Sequence, residues 1–274
     1  MGNSKKKKTL AEKADKYACY QASVQSPEHE IEFFEQAYQE AFKQTPLILR
    51  EDFCGTFAVC CQWVASHDSR RATGVDLDPE PLDWGRENNL SKLTDDQQER
   101  VKILQQDVRK KNRPQADILA AQNFSFWIFK TRAEVIEYFK VARSNMAAKS
   151  ILVMDMMGGG QCYDEDHTDV RTIKKGKKGF KYYWKQVRFN PITSDATFHI
   201  GFKFADGSRM KKAFEYNWRF WTIPEIREML AEAGFSASHV YWEIEDEDEE
   251  ESDWEIRSEA ESDPSWISYI VAIK

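Results

Sequence analysis

Three acidic residues close three apolar runs: Glu51 ends "LILRE", Asp76 ends "RATGVD" and Asp107 ends "RVKILQQD". Each run reads as a strand, and helix-like stretches lie between the first two. In an open parallel sheet, ligands bind beyond the carboxyl ends of the strands, where the strand order reverses. Glu51 and Asp76 are 25 residues apart, which leaves room for one turn, one helix and one strand. A carboxylate at the second strand end can accept both hydroxyls of a ribose, so an adenosine-bearing cofactor is expected.

The loop after the first strand discriminates between cofactors. A dinucleotide loop needs glycines so that backbone amides can approach a pyrophosphate. Here the three glycine positions are Phe53, Gly55 and Phe57, and two aromatic side chains obstruct that approach. S-adenosylmethionine has no phosphate. Its ammonium and sulfonium suit a carboxylate at Glu51 and strand-end carbonyls, so the loop favours S-adenosylmethionine. Taken singly, an acid at a strand end is an ordinary helix cap or surface charge. Three in order at successive strand ends carry the argument.

The elements that must position these residues alternate. "SPEHEIEFFEQAYQEAF" has Pro27 near its start and Ile31, Phe34, Tyr38 and Phe42 at helical spacing. Strand, helix, strand, helix then follow as far as "SILVMDMM", the pattern of a parallel sheet covered on both faces. Phe180 to Asn190, Ala196 to Ala205 and Met210 to Trp221 are aromatic-rich runs, the last two joined by "ADGS", a hairpin signal. They predict a small antiparallel insertion at about 165–221. "TIPEIREMLAEAGF" restores a helix, with Thr222 and Glu225 at capping-box spacing. "ASHVYWEI" and "WISYIVAIK" are expected to pair as a closing hairpin around an acidic loop at 245–263. The predicted fold is α/β: a Rossmann-like, mostly parallel seven-stranded sheet in one domain over 27–274, preceded by a tail and cofactor-covering segment over 1–26.

On these residues the chain resembles the class I S-adenosylmethionine-dependent methyltransferases, over roughly Leu47 to Asp155. Glu51 takes the place of the acid in the first motif of that family and Gly55 that of its central glycine. "GVDLDPEPL" resembles the second motif, which implies that Asp76 binds the ribose hydroxyls with Leu77 beside the adenine. "LQQDVR" resembles the third and places Asp107 and Val108 at the adenine. "AQNFSFWIFKTR" occupies the fourth, where Asn123 faces cofactor and acceptor. The family's habit of covering the site with N-terminal residues suggests Tyr20 at the cofactor and Tyr17 at the acceptor, with Phe126 and Trp127 as further acceptor contacts. For these two aromatic residues, core packing is an equal alternative.

Nothing in the sequence names a catalytic base or the acceptor. The Asn/Asp-Pro-Pro-aromatic signature of amino-directed nucleic-acid enzymes is absent, since the place reads Asn123, Phe124, Ser125, Phe126. No proline-preceded cysteine of the pyrimidine-carbon type lies there either. A small-molecule acceptor is expected, by direct in-line displacement. The alternatives are an RNA or protein methyltransferase using the basic stretch Arg171 to Arg188, and a non-catalytic scaffold of the same fold. His167, in "CYDEDHTD", reads as part of a solvated turn.

The composition bounds the rest. A net charge of −7 over 274 residues argues against broad nucleic-acid binding. The five cysteines show no CxxC spacing, so no metal site is expected and a reducing, cytoplasmic setting fits. No run is apolar enough for a membrane span. Gly2 without Ser or Thr at position six leaves Lys5 to Lys8 as a solvated tail. The oligomeric state is not legible.

Overall fold

The computed structural model describes residues 8–173, 176, 179–244 and 253–274. Along the chain come α1 (Leu10–Lys13), α2 (Lys16–Val24), α3 (Pro27–Phe42), β1 (Ile48–Asp52), α4 (Ala58–Ala65), β2 (Arg71–Asp76), α5 (Pro79–Asn88), α6 (Asp95–Glu99) and β3 (Val101–Gln105). There follow β4 (Ala116–Ala121), α7 (Arg132–Ser144), β5 (Met146–Gly158), β6 (Thr168–Ile173), β7 (Phe180–Asn190), β8 (Asp195–Phe204) and β9 (Arg209–Arg219). The chain ends with α8 (Ile223–Glu232), β10 (Ala237–Ile244), β11 (Asp253–Ile256) and β12 (Trp266–Ile273).

The chain divides into two compact units. The larger comprises Ser26–Cys162 and Trp221–Lys274, and its sheet has the order β11-β10-β12-β5-β4-β1-β2-β3. From β5 to β3 the strands are parallel. From β5 outward through β12 and β10 to β11 they are antiparallel. The strand order reverses at β1, whose neighbours β4 and β2 follow it on opposite sides, the position at which open parallel sheets bind ligands. Leu49, Ile118, Ala120, Ile151 and Val153 project from one face into a core shared with Ile31, Phe34 and Tyr38 of α3 and Trp63 of α4. The apolar spacing of α3 is thus spent on burying one helical face.

The closing pair forms as the sequence suggests, with β10 antiparallel to β12. Within 245–263, read as acidic loop, residues 253–256 form an edge strand on β10, giving the sheet an eighth strand. The acidic run at 245–252 itself lies outside the described residues.

The smaller unit comprises Met1–Gln25 and Tyr163–Phe220. It holds an antiparallel sheet of order β6-β7-β8-β9. Strand β6 escapes sequence reading because it is exposed along almost its whole length, so no alternation marks it. The N-terminal segment is bound to the β8–β9 turn: the Leu10 amide donates to Asp206 Oδ2 at 2.8 Å and the Ala11 amide to Ser208 Oγ at 3.0 Å. Tyr182, Phe198, Ile200 and Phe202 are buried, and Trp184 stacks on Phe198 at 4.8 Å. In the basic stretch, Lys174, Lys175, Lys177 and Lys178 lie outside the described residues, as do Gly2 and Lys5–Lys7.

Candidate functional site

The loop between β1 and α4 follows a path that its residue types argue against. Phe53, Gly55 and Phe57 take φ of 59°, 51° and 45°. The left-handed conformation that glycines adopt freely is therefore kept by two phenylalanines. Phe57 is fully buried, and the space for its ring comes from α5. A Cβ on Gly85 would stand 2.5 Å from the Phe57 ring and 2.5 Å from the Thr56 carbonyl oxygen. Gly74 does the same for Cys54, whose Sγ would stand 2.9 Å from a Cβ there. The glycines missing from the loop are replaced by glycines facing it.

The amides of this loop are turned inward. Cys54 N–H donates to Val75 O at 3.1 Å and Phe57 N–H to Cys54 O at 2.6 Å. Gly55 N–H donates to Asp76 Oδ2 at 2.8 Å, and Cys60 N–H to Glu51 Oε2 at 3.2 Å. These four amides are not available as a cradle for a phosphate.

The acids differ in how they are held. Glu51 is 5% exposed; burial pushes its carboxyl up to about 7, against the pull of Cys60 and with Asp76 and Asp52 adding to the rise. Asp76 accepts from Gly55 on one oxygen and from the Asp78 amide on the other at 2.9 Å. The Leu77 amide adds a third contact, so of the roughly four lone-pair sites of a carboxylate one remains for a hydroxyl donor. Burial raises the Asp76 carboxyl in spite of these bonds. Asp107 is gripped by Arg109 through Nε at 3.0 Å and Nη2 at 2.7 Å, and by the Arg109 amide at 2.8 Å. Arg109 accordingly holds its carboxyl below the usual range. Leu77 is 67% exposed while Val108 is buried.

Asn123 and Phe124 again have positive φ, 58° and 54°. Both amides donate to Asp155 of β5, at 2.7 and 2.8 Å, and this fixes the turn after β4. Phe126 and Trp127 are fully buried, in edge contact with each other, with Phe126 also against Phe139. Tyr17 and Tyr20 belong to the smaller unit, where their rings lie 5.6 and 5.1 Å from that of Phe214. His167 bonds to Asp169 in an exposed turn.

Sequence reasoning missed several residues. Arg50 and Asp52, on the other face of β1 from Glu51, form a buried ion pair at 2.7 Å. Arg50 Nη2 also donates to the Val108 carbonyl at 3.1 Å, and Asp52 accepts from the Tyr138 hydroxyl at 3.2 Å. Arg50 therefore ties β1 to the loop that carries Asp107 and Val108. Gln106, whose amide donates to Asp76 O at 2.8 Å, has a buried Nε2 without a hydrogen-bond partner among the described residues. The backbones of Gln106 and Asp76 are therefore neighbours across β3 and β2. Leu77 and Val108 are apolar groups beside the acids Asp76 and Asp107, and Glu51 is a buried carboxyl on the neighbouring strand.

The arrangement has solved counterparts. The structure is similar to CalS10, an amino pentose methyltransferase from Micromonospora echinaspora, with a TM-score of 0.66 and 14% identity over 98% of this chain and 99% of that one. The fold is that of the class I S-adenosylmethionine-dependent methyltransferases. DesVI of Streptomyces venezuelae matches this methyltransferase fold at a TM-score of 0.67, with 12% identity over 94% of this chain and 95% of its own. The sugar N-methyltransferase KedS8 from Streptoalloteichus matches at 0.63, with 14% identity over 100% of this chain and 97% of its own. No family model and no curated protein matches the sequence.

Proposed function

We propose that this chain is an S-adenosylmethionine-dependent methyltransferase acting on a small-molecule acceptor. One observation carries the reading: Glu51, Asp76 and Asp107 stand at the carboxyl ends of three adjacent parallel strands, around a loop whose amides are already spent within the protein. Asp76 would hold the ribose, Leu77, Asp107 and Val108 the adenine, and Glu51 with Gly55 and Asn123 the methionine end. When bound, the cofactor supplies an electrophilic methyl carbon on a sulfonium. The protein's contribution is to fix that group against an acceptor and keep water out. The neighbours CalS10 and KedS8, described as amino pentose and sugar N-methyltransferases, support a small-molecule acceptor.

No helix among the described residues is long and apolar enough to cross a membrane, and all five cysteines are free. Both support a cytoplasmic setting.

Calorimetric titration with S-adenosylmethionine and with NAD tests the reading. S-adenosylmethionine is expected to bind and NAD not to. Asp76→Ala removes three loop contacts and the ribose acceptor, and is expected to weaken S-adenosylmethionine binding by at least about 100-fold, as for loss of charge-assisted hydrogen bonds. Binding of NAD alone would sink the proposal.

A further inference from the structure

The adenosine side of the site lies on β2 and β3, and a second polar group gathers on the opposite side of β1. Strand alternation puts Glu51, Gln122 and Asp155 on the sheet face that carries α3. Each lies an even number of residues from Leu49, Ala120 or Val153, which join the core beneath that helix. Gln122 falls one step beyond the Ala121–Met154 pair, beside Asp155, and Tyr269 of β12 pairs with Asp155 from the other side. Glu30, in the first turns of α3, completes the group. Phe33, one turn further along α3, stacks on Tyr269 at 4.2 Å, which brings Glu30 to this end of the sheet, where Glu51 and Asp155 disfavour its charge.

Two members of this group, Glu30 and Gln122, each carry a buried polar atom that is unspent. One carboxylate oxygen of Glu30 is bonded by the Ser26 backbone N–H, but Oε2 is sealed from solvent and accepts no hydrogen bond among the described residues. Gln122 is 7% exposed, and its Nε2 likewise has no partner there. Asp155, in contrast, is committed to the Asn123 and Phe124 amides. Buried polar groups are normally paired, and two orphaned atoms on residues that both neighbour Asp155 ask for a ligand. The ligand must offer a charged or strong N–H donor to Glu30 and an oxygen acceptor to Gln122. Because the adenosine groups lie on the far side of β1, this position suits the molecule that meets the cofactor's methionine end.

The geometry points to Glu30 and Gln122 as the acceptor subsite, taking an amine with an oxygen on a neighbouring carbon. This rests on the methyltransferase reading above. Glu30 and the amine share one proton, and when Glu30 holds it the nitrogen lone pair is free, with no bond to carbon made or broken. Burial and the neighbouring carboxylates hold the Glu30 carboxyl up to about 8, within the range where a carboxyl exchanges a proton with an amine near neutral pH.

The test uses the full chain saturated with S-adenosylhomocysteine, titrated calorimetrically with a vicinal aminocyclohexanol and with the matching cyclohexanediol. The amine is expected to bind at least about tenfold more tightly than the diol, the usual weight of a hydrogen bond to a charged group. Glu30→Gln is expected to abolish that preference and leave S-adenosylhomocysteine affinity unchanged. Equal binding of the two probes, or binding of neither, overturns the amine subsite while S-adenosylhomocysteine binding leaves the methyltransferase reading standing. Loss of S-adenosylhomocysteine affinity in Glu30→Gln also overturns it, since Glu30 would then serve the cofactor's own ammonium. Failure of the wild-type chain to bind S-adenosylhomocysteine overturns both. The wild-type comparison needs no variant, so a Glu30→Gln protein that fails to fold does not shelter the proposal.

Discussion

Replacing Arg50 with Met leaves Asp52, at the end of β1, without its counter-charge. Arg50 and Asp52 have side chains 3% and 0% exposed and meet at 2.7 Å. Met fills much of the same volume but leaves Asp52 buried with only the Tyr138 hydroxyl at 3.2 Å. Removing one partner of a buried ion pair costs about 3–5 kcal/mol, because the remaining charge is uncompensated. Against a total stability of about 5–15 kcal/mol, the variant should fold but melt roughly 10 °C lower. The loss depends on pH. The Asp52 carboxyl is already held up to about 6 by burial with Arg50 opposing, and it rises further once Arg50 is gone. Below that value the carboxyl is neutral, so the penalty shrinks at pH 5 and is full at pH 8. Arg50→Met paired with Asp52→Leu removes both charges and should recover most of the stability at pH 8. Urea unfolding of the two variants, followed by circular dichroism at both pH values, measures this. A loss below about 1 kcal/mol at pH 8, outside the range for buried pairs, or no recovery in the double variant, would refute the argument.

Two further outcomes follow from the same burial. Gly85→Ala puts a Cβ against the Phe57 ring and the Thr56 carbonyl, both at 2.5 Å, and should cost about 1–3 kcal/mol as overpacking does; adding Phe57→Leu should restore part of it in thermal melts. Glu30, Glu51 and Asp155 are raised to about 8, 7 and 7 from ordinary values of 4.5, 4.5 and 3.8. The ligand-free native state therefore holds more protons than the unfolded chain between those limits, and stability falls as pH rises from about 5 to 8. A melting temperature that climbs over that interval would contradict it.

The three strand-end acids were legible because a strand and its final residue are local in sequence, and parallel alternation fixes where they meet. The places of Glu30 and Gln122 were not, since the first depends on how α3 lies on the sheet and the second on the register of β4 with β5. Arg50 looked like one polar residue in an apolar run, and only the observed burial shows it reaching Val108. Gln106 and Arg109 stood within a quoted motif, yet nothing in the motif says that Arg109 grips Asp107 or that a Gln106 amide is left over. The attachment of Leu10 and Ala11 to the β8–β9 turn spans most of the chain and has no local signature. The strand at 253–256 was hidden by the acidic run before it, which reads as loop on composition.

The phenylalanine loop shows how a path normally reserved for glycine can be kept. A left-handed non-glycine residue costs roughly 1–2 kcal/mol, so Phe53 and Phe57 together cost roughly 2–4 kcal/mol. Full burial of the Phe57 ring contributes about 1.5–3 kcal/mol. Phe53, 6.1 Å from the Phe129 ring and 5.7 Å from that of Tyr138, adds about 0.5–1.5 kcal/mol for each well-placed aromatic pair. The terms balance within a few kcal/mol, and the path survives without the usual glycines. What changes is the ligand the path can serve. With Cys54, Gly55, Phe57 and Cys60 donating inward, the loop offers a carboxylate and apolar walls in place of a ring of amide donors. Positive charge is what such a loop can hold, and a pyrophosphate is what it repels.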